Sequence, residues 1–327
     1  MNWFHLITTL LLLNLGIYGF ANEDAKLSEV CGKPVVDRSR IVGGQDSKKG
    51  QHPWQVIVIL PNIQCGGTLI SSRFVLTAAL CVHSVNDVLV YAALGAYNLT
   101  ERKQFYIPVS RTIIHDRYIY PVYYYNIALL ELSVSVPFMD FMLPACLPTA
   151  STQFLPGQSC MVAGWGFPDD NSNQLPFILQ ESEVQLISLE RCRDLYREAY
   201  TNILIADTMT CAMDIHENTG ISTGDLGGPL VCQKGGQWFL VGVVSLEVIL
   251  ELTLPVSYTS VPAYMDWINK HVFPPNGGSG LIGSMPGVAL EVQSLSAFIL
   301  SLRSLFWVSL QNPMFILMLS TVIWVGC

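Results

Sequence analysis

Short runs of β-branched and apolar residues recur along the middle of the chain, and each is cut off by a turn signal. Residues 55–60 stop at Pro61-Asn62, and residues 67–76 are interrupted at Ser71-Ser72. The rhythm continues through 88–94, 104–114 and 127–132, the pattern of short strands joined by tight turns. Helical periodicity is almost nil until 262–272, where Tyr264, Trp267, Ile268, His271 and Val272 recur at three- and four-residue intervals. The pattern predicts an all-β domain closed by one amphipathic helix, with no internal repeat.

Both ends depart from this pattern. Residues 6–15 form an apolar core followed by Gly19-Phe20-Ala21, with small residues at the cleavage positions, so 1–21 read as a secretory signal. No Lys or Arg precedes that core, but it is short for a membrane span and Asn14 interrupts it. After Phe273 the composition changes to Pro274-Pro275-Asn276-Gly277-Gly278-Ser279-Gly280, the start of a linker over 274–294. Residues 295–327 are strongly apolar, yet Arg303 and Gln311-Asn312-Pro313 leave no uninterrupted span of ~20 residues. They read either as a kinked membrane helix or as a lipid-anchor (GPI) signal with 314–327 as the removed tail. The expected location is the secretory pathway, ending in secretion or at the extracellular face of the membrane.

A chain of 327 residues can bury a large core, and one all-β domain of over about 200 residues is an ordinary size. With 51% hydrophobic and 13% charged residues it is too apolar for a disordered chain. The net charge of −8 argues against nucleic acid as a partner, since phosphate binding needs a basic footprint. Nine cysteines fit an oxidising compartment, and no Cys-x-x-Cys or Cys/His grouping has zinc-ligand spacing, so neither metal nor cofactor is expected. Asn98-Leu99-Thr100 is an N-glycosylation acceptor in a polar stretch between strands.

The stretch with most chemical meaning is Gly224-Asp225-Leu226-Gly227-Gly228-Pro229-Leu230. A lone glycine-rich match marks a turn more often than a site. Here it is accompanied by Arg40-Ile41-Val42-Gly43-Gly44, Leu76-Thr77-Ala78-Ala79-Leu80-Cys81, Asn126-Ile127-Ala128-Leu129-Leu130, Gly164-Trp165-Gly166 and Val241-Gly242-Val243-Val244-Ser245. In this order, over about residues 31–273, the set resembles the trypsin-like (chymotrypsin-fold) serine proteases. The resemblance implies two packed six-stranded antiparallel Greek-key β-barrels with a C-terminal amphipathic helix, occupying 41–273. It implies a propeptide over 22–40, cut after Arg40, whose new Ile41 amine would pair with Asp225. It also implies the disulfides Cys31–Cys146, Cys65–Cys81, Cys160–Cys232 and Cys192–Cys211, with Cys327 left over. One further family pair is missing from both sides, because Ser222 replaces one cysteine and none lies between residues 246 and 258. In layout the chain is similar to membrane-anchored testisin- and prostasin-like enzymes.

Peptide hydrolysis on this fold needs a hydroxyl nucleophile, an imidazole to take its proton and a carboxylate to orient the imidazole. The resemblance places Leu226, Leu80 and Asn126 at those three positions. Leucine can neither attack nor accept a proton, and removing one member of such a unit already removes most of the catalysis. His83, three residues beyond Leu80, is expected to be a surface histidine, and no base can be named for Ser222 or Thr223. The resemblance implies an altered primary pocket too. Gly220 stands where an aspartate would select Lys or Arg, and Glu247 and Val256 stand where glycines would let substrate approach the backbone. The expectation is a pseudoprotease that binds proteins, whether substrates, inhibitors or active relatives. The alternative is a residual hydrolase with a non-standard nucleophile.

Overall fold

The structure is a computed structural model, and it describes residues 27–36, 45–61, 63–85, 90–101, 103–120, 124–149, 151–166, 175–199, 203–214, 225–246 and 254–274. The signal, linker and tail segments read from the sequence lie outside them, apart from residue 274. Six strands close the first barrel: β2 (Gln55–Ile59), β3 (Gln64–Leu69), β4 (Phe74–Thr77), β5 (Tyr91–Leu94), β6 (Phe105–Ile114) and β7 (Ala128–Leu132), in the spatial order β2-β3-β4-β7-β6-β5. The Ser71-Ser72 break becomes the β3–β4 turn, where Ser71 Oγ accepts the N–H of Arg73 (3.3 Å) and of Phe74 (3.1 Å). A hydroxyl that satisfies two turn amides is why serine punctuates the run there.

The second barrel repeats the connectivity. Its strands are β8 (Ser159–Gly164), β9 (Gln180–Ile187), β10 (Met209–Asp214), β11 (Pro229–Lys234), β12 (Gln237–Leu246) and β13 (Val256–Ser260). They run β9-β10-β13-β12-β11-β8, and the β8–β9 pairing closes the ring; the two-residue β1 (Gln45–Asp46) adds to β9 from outside. Counted around each ring from its first strand, the fourth position is held by the last strand in sequence, the Greek-key return the family resemblance implies.

Side chains explain both closures. Val56, Val58, Leu69, Val75, Leu76, Leu94, Leu129 and Trp54 are fully buried in the first barrel, and Val162, Leu186, Leu230, Val241, Val244 and Tyr258 fill the second. Ile57 points the other way, joining Ala93 to Ala163, Trp165 and Leu179 of the second barrel. Because β2 buries both faces, it reads as a continuous apolar run instead of an alternation. Disulfides join Cys31 to Cys146, Cys65 to Cys81, Cys160 to Cys232 and Cys192 to Cys211.

Besides a helical turn over 27–30, the helices within the described residues are the single turn α1 (Ala79–Val82), α2 (Leu189–Ala199) and α3 (Met265–Val272). The predicted terminal helix begins as a 3-10 turn over Val261–Tyr264, with Pro262 in its first turn. The near-absence of helical periodicity before 262 is corrected by α2. Leu189, Cys192, Leu195 and Tyr196 do form a stripe, but six of the eleven residues are charged and dilute it. The Cys192–Cys211 bond and the Tyr196 hydroxyl, which donates to Pro255 O at 2.8 Å, pin that helix.

Candidate functional site

The three positions singled out in the sequence lie where the barrels meet. Asn126 lies two residues before the first residue of β7 and has no exposed surface. Tyr125 before it holds φ 56°, a left-handed conformation that costs a non-glycine residue roughly 1–2 kcal/mol. Stacking on His115 (5.0 Å between centroids, 18° between planes) and a 3.3 Å bond from Arg117 Nη1 to its hydroxyl hold Tyr125 in that conformation. Asn126 is thereby aimed inward. Its Oδ1 accepts the Leu80 N–H at 2.8 Å, and its Nδ2 donates to Ser245 O (3.2 Å) and Ser245 Oγ (3.0 Å). Its backbone carbonyl accepts the Thr259 hydroxyl at 2.9 Å. One residue thus ties α1 of the first barrel to β12 through its side-chain amide and to β13 through its backbone carbonyl.

Residues 225–228 pack against the same region. Gly66 N–H donates to Leu226 O at 2.7 Å, and Gly227 N–H to Val244 O at 3.0 Å. Gly227 has φ +83°, and a Cβ there would come within 2.3 Å of Thr77 Oγ1 and 2.5 Å of Gly66 O, so only glycine fits this turn. Thr77 Oγ1 in turn donates to Gly66 O at 2.8 Å. Leu226 is half-buried and packs against the core of the first barrel; Leu80 is half-buried on α1. The turn's backbone is therefore fixed by its neighbours, and Leu226 places an apolar side chain on it.

His83 ends the α1 turn. Its Nδ1 lies 2.8 Å from Leu80 O and its ring stacks on Tyr120 (4.5 Å, 11°), so it is engaged with its own turn and a neighbouring loop. Asp225 Oδ1 accepts the Gly166 N–H at 2.9 Å, and a Cβ on Gly164 or Gly166 would collide with its carboxylate. The Gly-Trp-Gly motif is therefore a cradle for Asp225. Burial pushes the Tyr258 hydroxyl well above its usual range, and the nearby charges of Asp225 and then Asp214 act in the same direction. Val256 on β13 pairs with Ala212 and packs against the core of the second barrel. Arg40, Ile41, Gly220, Ser222, Thr223 and Glu247 lie outside the described residues. Asn98 is half-buried, and its Oδ1 accepts both the N–H (2.9 Å) and the hydroxyl (2.7 Å) of Thr100. Among the described residues no three His, Cys, Asp or Glu side chains converge as a metal site.

Sequence reasoning missed the partners of the three positions. Ser245 closes a motif and gave some signal; nothing pointed to Thr259, or to the bond between Asn126 and Ser245 across 119 residues.

These two barrels, with their six motifs in order, define a chymotrypsin-fold domain, and the trypsin family's sequence model matches residues 41–268. The chain belongs to the trypsin family. It is similar to transmembrane protease serine 7 of Mus musculus, 34% identical over 251 residues, which is 74% of this chain and 29% of that protein. It is also similar to transmembrane protease serine 9 of Rattus norvegicus, 35% identical over 246 residues, or 73% of this chain and 23% of that protein. The chain thus spans about a quarter of the length of these relatives. Among the described residues no helix is long and apolar enough to cross a membrane.

Proposed function

We propose that this protein is a non-catalytic member of the trypsin family that acts by binding other proteins, at the extracellular face of the membrane or in secreted form. The observation that carries this reading is Asn126. In the slot where hydrolysis needs a carboxylate facing an imidazole, an uncharged amide has both ends engaged, by Leu80 N–H and by Ser245. No imidazole or hydroxyl stands at Leu80 or Leu226 to use a charge there. With a protease scaffold intact around apolar side chains, the remaining capacity is recognition: holding a substrate without cutting it, occupying an inhibitor of active relatives, or serving as a subunit beside one. The transmembrane proteases it resembles make a cell-surface setting the natural one, with the 295–327 tail as the attachment.

A fluorophosphonate probe tests this directly. The full chain, before and after cutting at Arg40, is expected to take no covalent label under conditions that label an active trypsin-like enzyme to completion. Stoichiometric labelling would refute the non-catalytic reading and identify the nucleophile by peptide mapping.

A further inference from the structure

Glu181, on β9, is a carboxylate buried almost completely, with 1% of its side chain exposed. Three of the side chains that meet this carboxyl group come from one short stretch of chain. Its Oε2 lies 2.5 Å from His52 Nε2, itself 1% exposed, and its Oε1 accepts Gln51 Nε2 at 2.9 Å and Gln45 Nε2 at 3.3 Å. Gln51 is oriented for this by its other end, whose Oε1 accepts the Lys48 N–H at 2.9 Å. The backbone follows the side chains: Gln45 pairs with Glu181 and Asp46 with Gln180, Ser47 N–H donates to Leu179 O at 2.8 Å, and Gln180 Nε2 donates to Asp46 Oδ1 at 2.7 Å.

A strand of two residues has too few ladder bonds to hold by itself. A buried carboxylate, for its part, is unfavourable unless paired and hydrogen-bonded. Each need is met in part by the other, so docking of residues 45–52 goes with the hydrogen bonding of the buried Glu181 carboxyl group. We propose that Glu181 is a latch that fixes residues 45–52 onto the second barrel independently of any cut after Arg40. Upstream, residues 31 and 32 have their own anchors. Gly32 N–H donates to Pro144 O (2.8 Å), Trp238 N–H donates to Gly32 O (2.9 Å), and Cys31 is bonded to Cys146. With both flanks of the Arg40 position pinned, a cut there releases neither, and its conformational effect on the start of the domain is confined to residues upstream of Gln45. This holds whether or not the protein is catalytic.

Hydrogen exchange on the full chain tests the latch, comparing Arg40→Ala protein, which cannot be cut at that position, with wild type cut after Arg40. Amides of residues 45–55 should exchange slowly in both, at rates within about twofold. Glu181→Leu should speed them about tenfold or more in both forms, while β3, β4 and β7 keep their protection. Exchange that is fast in the uncut chain and slows only on cutting would overturn the proposal, as would unchanged rates in Glu181→Leu. Should Glu181→Leu fail to fold, Gln51→Ala carries the same test: a several-fold acceleration confined to 45–55 supports the latch, and none refutes it.

Discussion

Asn126→Asp changes almost no volume, so its effect isolates electrostatics in the buried slot. The Leu80 N–H bond to Oδ1 survives. The other terminus is the problem: an oxygen replaces the Nδ2 that donates to Ser245 O at 3.2 Å, and two acceptors then face each other. Ser245 Oγ, at 3.0 Å, can turn its hydrogen toward the new carboxylate and recover part of the loss. One lost hydrogen bond and a desolvated charge with no cationic partner should together cost about 2–3 kcal/mol near neutral pH. For a domain of this size that lowers Tm by roughly 5–10 °C. The pH dependence has a definite sign. Burial and the facing carbonyl hold the folded carboxyl above its unfolded range, so the penalty is small below the unfolded value of about 3.9 and grows as pH rises through the folded value. A protonated carboxyl at position 126 also restores a donor toward Ser245 O, imitating the amide. Thermal unfolding of wild type and variant at about pH 4.5 and about pH 7.5 reads both effects, and the gap in Tm should widen at the higher pH. Equal melting temperatures near neutrality, or a gap that does not change with pH, would refute the assignment of Asn126 as a neutral donor and acceptor matched to its slot.

Cutting after Arg40 should leave the propeptide attached through Cys31–Cys146, so the cut protein runs as one band without reductant and as two with it; two bands without reductant would contradict the bond. Burial holds His115 below the usual histidine range, Asp116 opposing and Arg117 and His271 adding, and its Nδ1 accepts the Arg117 N–H at 3.2 Å, which only the unprotonated nitrogen can do. The folded state therefore binds fewer protons than the unfolded one, and stability should fall as pH drops through about 6.5; His115→Phe, which keeps the stack on Tyr125, should flatten the Tm profile between about pH 7 and 5. On the non-catalytic reading, which puts Gly220 where an anion would hold a basic side chain, the combined changes Leu80→His, Asn126→Asp and Leu226→Ser should not bring hydrolysis of a short Arg ester near that of an ordinary trypsin-like enzyme, because an ångström of misplacement costs about a hundredfold. A kcat/KM in the ordinary range would show the pocket intact. Phosphatidylinositol-specific phospholipase C should release the protein from cells if 295–327 is a lipid-anchor signal, and continued retention would favour a membrane helix.

The barrel strands were legible because their information is local. Apolar runs ending at Pro61-Asn62 or Ser71-Ser72 mark edges that backbone sterics and side-chain hydroxyls enforce within a few residues. Helix α2 was illegible for the opposite reason. Its stripe is thin, and what secures it, the Cys192–Cys211 bond and the Tyr196 contact with Pro255, comes from distant parts of the chain. The site divides in the same way. Spaced motifs pointed to Leu80, Asn126 and Leu226, but nothing local says that Asn126 bonds Ser245, or that Glu181 gathers Gln45, Gln51 and His52 from about 130 residues away.

On the non-catalytic reading proposed above, the network around Asn126 also gives a physical reason for Leu80, Asn126 and Leu226 to occur together. A carboxylate in a fully buried slot is tolerable when an imidazole beside it can donate a hydrogen and share a charge; without that imidazole the charge is an uncompensated burden. Leucine at position 80 keeps its backbone N–H but offers no side-chain donor, so an acceptor is still wanted at Oδ1 while a charge is not. Asparagine supplies that acceptor and turns its other end into a donor for Ser245. Once the imidazole is lost, a hydroxyl at position 226 has no base to activate it, and an apolar side chain there gains by packing on the first barrel's core. An uncharged acceptor at the fully buried position 126 is matched to the Leu80 N–H, and an apolar side chain at position 226 is matched to the absence of a base.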